Sequence, residues 1–120
     1  MERIRFVQHN GKEILFLDFS ECKAGEVPAL IAESKTVIRT KPANSLLTLT
    51  DVTNTRFDDN VTAGMKEFAA HNKPYVKAAA VVGITGLKKI LFDAVMVFSK
   101  RKIHAFDSVE QAKAWLVSNS

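Results

Sequence analysis

One cysteine, one tryptophan, one tyrosine, three prolines and five glycines are all that the 120 residues contain of these types, and each scarcity removes a class of protein. Cys22 stands alone, so the chain closes no intrachain disulfide and builds no cysteine-based zinc site. His9, His71 and His104 fall in three different segments with no i, i+4 pair among them, which denies a metal centre its clustered ligands. There is no G-x-S-x-G nucleophile elbow, no dinucleotide glycine fingerprint and no phosphate-binding loop pattern. The expectation is a protein with no catalytic residues, no metal and no cofactor. Long apolar runs are missing too: Ile90 to Phe98 is the longest, contains Asp93, and falls far below the ~20 residues that cross a bilayer, so no transmembrane segment is expected. Glu2, Arg3 and Arg5 interrupt MERIRFVQ where an export signal would place its apolar stretch, and a cytoplasmic location is the expectation.

Charge of one sign is also in short supply. Seventeen basic residues against 13 acidic ones give a net charge of +4, and nucleic-acid binding needs its basic residues gathered on one face. The densest run is Lys100-Arg101-Lys102, with Lys88 and Lys89 upstream, and it is read as a solvated surface, so no nucleic-acid partner is expected.

What the chain does have is regular patterning. With 47% hydrophobic residues it is expected to fold as a single domain over 1–120. Residues 3–8 alternate as a half-buried strand, and Asn10-Gly11 then matches the strongest short hairpin signal, because both residues tolerate the positive φ of a type I′ turn. Residues 13–19 (EILFLDF) form the return strand. A helix carrying Val27, Leu30, Ile31, Val37 and Ile38 takes Pro28 in its first turn and stops before Pro42. The run 45–51 reads as a buried strand that feeds a helix over 58–72. Val76 to Val82 (VKAAAVV) has the continuous small and β-branched character of a strand covered on both faces. A helix over 86–99, a short strand at 103–106 and a last helix from Asp107-Ser108 complete the order, with Trp115 expected to close one end of the core. A β-hairpin followed by alternating helices and strands specifies an α/β fold: a mixed, mostly parallel five-stranded sheet with four helices.

This order, with HNGKEILFLDF near the start, LTLTDVTNTRF in the middle, NKPYVKAAAVVGITGLKKIL after it and EQAKAWL near the end, resembles the STAS domains, the group that includes the SpoIIAA-type anti-sigma-factor antagonists. The resemblance is closer to the branch described as SpoIIAA-like or STAS/SEC14-like. It implies a small bacterial regulatory or ligand-binding module. In the antagonists a serine at the start of the helix after the site loop accepts phosphate from a partner kinase. The matching stretch here is Asp58-Asp59-Asn60-Val61, so a carboxylate, Asp59, occupies the hydroxyl position and cannot be phosphorylated.

Ligand-contacting groups in open α/β folds gather at the carboxyl ends of strands, which directs attention to Asp51, Thr53, Thr55, Asp58, Asp59 and Asn60 as a partner or ligand site. Asp58 and Asp59 also fit ordinary helix capping, and Thr53 and Thr55 offer hydroxyls for modification. Gly83, Thr85 and Gly86 in GITG form a second candidate: glycines at a helix start expose amide donors to an anion, with Lys88 and Lys89 in the first turn.

On the 86–99 helix, Leu87, Ile90, Leu91, Ala94, Val95, Val97 and Phe98 share one broad face, expected to point inward. Phe92 and Met96 fall on the polar side and are the candidate interface, unless the last helix covers them. The function expected is a non-catalytic regulatory or interaction module with a protein partner or a second copy of itself. The alternative is a small carrier or sensor of an apolar or lipid ligand. An enzyme would need Asp18, Asp51 and His71 to converge.

Overall fold

The computed structural model describes residues 2–120. Strands β1 (Ile4–His9) and β2 (Lys12–Asp18) form the hairpin, with Asn10 at φ 49° and Gly11 at φ 78°, the two positive angles that the Asn-Gly pair was expected to supply. A 3₁₀ turn at Ala24–Glu26 leads into α1 (Val27–Ile38), followed by β3 (Leu46–Asp51), α2 (Asp59–Asn72), β4 (Val76–Val82), α3 (Lys88–Ser99), β5 (His104–Phe106) and α4 (Val109–Ser118). The strands form one sheet in the order β1-β2-β3-β4-β5, antiparallel only between β1 and β2. The fold is α/β with a mixed five-stranded sheet and four helices, as the patterning specified.

Alternation along the strands divides the core in two. Leu15 and Leu17 of β2, Leu46 of β3 and Val81 of β4 face α1, α2 and α3, where they pack with Val27, Ile31, Ile38, Val61, Phe68 and Val95. Ile14, Phe16, Leu47, Leu49, Ala78, Ala80 and Val82 face the other way, onto Ala112 and Leu116 of α4. A single helix therefore covers the second face. Trp115 closes it beside β5, with its ring 4.4 Å from His104 and 5.5 Å from Phe106. At the hairpin end Arg5 lies over the Phe16 ring at 4.6 Å, so its aliphatic stem extends the cover that α4 does not reach.

The position of α3 follows from its two ends and its neighbour. Its main packing is along α2, and α4 lies across the sheet from it. The alternative in which the last helix covers Phe92 and Met96 therefore does not hold: α4 follows β5 without a crossover and returns over the face opposite α1, α2 and α3.

Candidate binding site

The carboxyl ends of β2, β3 and β4 come together as the patterning required. Asp18 and Asp51 are register partners, and Val52 N donates to the Val82 carbonyl at 3.0 Å. Gly83, at φ 91°, lets the chain leaving β4 pass directly over Thr53: a Cβ at residue 83 would lie 2.7 Å from Thr53 Cα and 2.7 Å from its hydroxyl oxygen. The two candidate loops are thus one structure, and glycine is required there for close approach as well as for its backbone angle.

Within that rim the candidate residues have distinct duties. Asp51 Oδ1 accepts from Thr53 N at 2.9 Å, a local turn that leaves Thr53 exposed. Thr55 is buried, 3% exposed, and its hydroxyl donates to the Phe19 carbonyl at 2.6 Å, which ties the site loop to the end of β2 and withdraws that hydroxyl from solvent. Asp58 is the N-cap of α2 and accepts from Val61 N at 2.8 Å. Asp59 and Asn60 are exposed in the first turn, where the Asp59 charge complements the helix dipole.

The GITG stretch is built differently from an anion cradle. Lys88, Lys89 and Ile90 donate their amides to the carbonyls of Thr85, Gly86 and Leu87 at 3.1 Å each, so the donors expected to face an anion are used in successive tight turns. Thr85 and Gly86 are exposed, and the Gly86 φ of 58° supports the turn. Lys88 does not project outward with Lys89. It turns beneath α3, donates from Nζ to the Val52 carbonyl at 2.9 Å and sits 6.0 Å from the Phe57 ring centroid. Burial pushes its ammonium pKa down, opposed by the nearby Asp51 and Glu21 carboxylates.

The facing of α3 corrects the sequence reading. Lys88, Phe92, Val95 and Ser99 form its inner line, with Phe92 partly buried against the core and Met96 half-buried. Leu87, Ile90, Val97 and Phe98 point outward, exposed by 79%, 67%, 79% and 56%. The helix is thus turned by about a third of a revolution from the direction its apolar pattern predicts, at 100° per residue. Both ends impose this: Lys88 is held to Val52, and Lys100, in the left-handed conformation at φ 56°, reverses the chain so that Arg101 N donates to the Met96 carbonyl at 3.2 Å. Phe92 therefore belongs to the packed side, and the exposed apolar stripe is the one expected to be buried.

Beneath α3 lies a cavity of about 80 Å³, floored by Thr48, Thr50 and Ala79 of the sheet and walled by Met65, Phe68, Phe92 and Val95. Its size is well under the ~300–1,000 Å³ of a typical small-molecule pocket, and lipid-sized cargo has no room in it. Lys88 lines one end and Arg101 the other.

Of the three residues named for a catalytic arrangement, Asp18 and Asp51 are neighbours across β2 and β3, and His71 does not join them. His71, at the carboxyl end of α2, lies 5.8 Å from Tyr75 at the amino-terminal end of β4, the opposite end of the strands, and Asp18 is engaged by Ser20 and Arg3. Among the described residues no group of three or more His, Cys, Asp or Glu side chains is placed to hold a metal ion. No helix is long and apolar enough to cross a membrane among those residues. Cys22 is buried, and burial raises its thiol pKa. A scan against protein-family models, a search of curated proteins and a search of solved structures each found no match.

Sequence reasoning missed two features of this region. The inward turn of Lys88 had no signal beyond a cation at a helix start, where the dipole disfavours it. Arg101 sat in a basic run read as solvated, while its neighbours Lys100 and Lys102 are indeed exposed.

Proposed function

We propose that this chain is a non-catalytic docking module of the STAS-like type, which meets a protein partner through the outward stripe of α3. The observation that carries the reading is the exposure of Leu87, Ile90, Val97 and Phe98 on a helix whose opposite side already serves the core. A helix apolar on both sides is normally covered on both, and large apolar side chains grouped on a surface mark a contact site. Lys66, 5.9 Å from the Phe98 ring, and the exposed Lys89, Lys100 and Lys102 supply a basic rim, which favours a partner with an apolar groove and acidic margins. Symmetric self-pairing is the weaker reading, since a two-fold axis would set these lysines against their own copies. The exposed Thr53-Asn54 turn is a second contact region in this scheme, and the carboxylate at Asp59 makes it independent of serine phosphorylation there.

The test is affinity capture from the source cells with wild-type protein and an Ile90→Glu/Val97→Glu variant, with light scattering on the purified chain. A stoichiometric partner lost by the variant, together with a monomer in isolation, supports the reading. A partner retained by the variant, or a dimer that the substitutions dissociate, removes it.

A further inference from the structure

We propose that the cavity beneath α3 binds a short aliphatic carboxylate of about four carbons, its carboxylate on the Arg101 guanidinium and its chain between α3 and the sheet. The site is separate from the outward stripe, and its test does not depend on the docking reading.

Arg101 is the reason for an anion. The chain reversal at Lys100 plants this guanidinium between α2 and α3, where its hydrogen bond to protein is a long one, 3.4 Å to the Ala69 carbonyl. No carboxylate lies within ion-pairing distance among the described residues. A guanidinium carries five N–H donors in a fork that matches a carboxylate, and taking it out of water without an opposite charge is costly. Burial alone pushes the Arg101 pKa down to about 10, and no acidic group offsets it. Lys88, at the other end, is in a different state, since it is bonded to Val52 and lies in the field of Asp51 and Glu21. The anion therefore belongs at the Arg101 end.

The walls give the rest of the ligand. Met65, Phe68, Phe92 and Val95 offer an apolar lining with no charge between the two ends. At roughly 30 Å³ per water-sized group, 80 Å³ encloses two or three methylenes, and the carboxyl end then reaches the mouth at Arg101. A long acyl chain does not fit this space, and a bare inorganic anion leaves it empty.

Isothermal titration calorimetry, with methyl NMR shifts of Met65 and Val95 as the reporter of location, tests the assignment using butanoate, butylamine and inorganic phosphate as probes. The expected result is butanoate binding at or below about 1 mM with shifts at both methyl groups, and no comparable binding of the other two. Arg101→Gln is expected to weaken butanoate at least about tenfold. Ala79→Leu, which fills the floor, is expected to abolish the methyl shifts. Where Arg101→Gln fails to fold by circular dichroism, Arg101→Lys takes its place, with a smaller loss expected because a point charge replaces the fork. Absence of butanoate binding at about 10 mM overturns the proposal, as does equal binding of butylamine or phosphate, or undiminished affinity in the Arg101 variant.

Discussion

Lys88 Nζ and the Val52 carbonyl oxygen, 36 residues apart in the chain, are joined by a hydrogen bond of 2.9 Å. The bond fastens the first residue of α3 to the carboxyl end of β3, and it is one of the two anchors that set which side of the helix faces the core. Burial lowers the folded-state pKa of Lys88 below 10.5, its ordinary value, so between the two values the unfolded chain binds more protons than the folded one. Stability therefore carries the full burial penalty below the folded pKa and gains as pH rises toward 10.5. Lys88→Met removes that gain, and urea titrations of both proteins from pH 8 to 10.5 are expected to show a less positive pH slope in the variant.

Gly83→Ala tests the fusion of the two site loops. The added methyl meets Thr53 backbone and side chain in a positive-φ conformation, and a loss of roughly 2–3 kcal/mol is expected in urea unfolding. Gly86→Ala, also at positive φ but with open space around it, is expected to cost about 1 kcal/mol. Equal costs at the two positions would deny the close approach.

The two site threonines separate in the same way. Thr55→Val removes the buried hydroxyl bonded to Phe19, with an expected loss of about 1–2 kcal/mol, whereas Thr53→Val on the exposed turn stays within about 0.5 kcal/mol. Phosphorylation by a promiscuous kinase is expected at Thr53 and not at Thr55, read by mass spectrometry of the folded protein.

Most of the architecture was legible in the residues. The Asn10-Gly11 turn, the run from Ala78 to Val82 and the Asp58 cap each state their structure locally, and the alternation of strands with helices fixes the crossovers. The meeting of the loops that follow β3 and β4 was legible in position but not in detail. Thr55 looks like any loop threonine until the end of β2 is beside it. The orientation of α3 failed for a definite reason: a helix apolar over more than half its circumference has no single inward direction, so distant anchors at Val52 and Ala69 decide it. Those anchors involve Lys88 and Arg101, residues that patterning assigns to solvent.

The most direct measurement of the central claim, that α3 turns Val97 outward and Val95 onto the cavity, is the alkylation rate of single cysteines introduced by Val97→Cys and Val95→Cys. The native Cys22 is buried, with its thiol pKa raised, and contributes little background. The account predicts that residue 97 reacts within about threefold of an unfolded thiol and residue 95 at least about a hundredfold more slowly. Fast reaction at 95 with protection at 97 would contradict it.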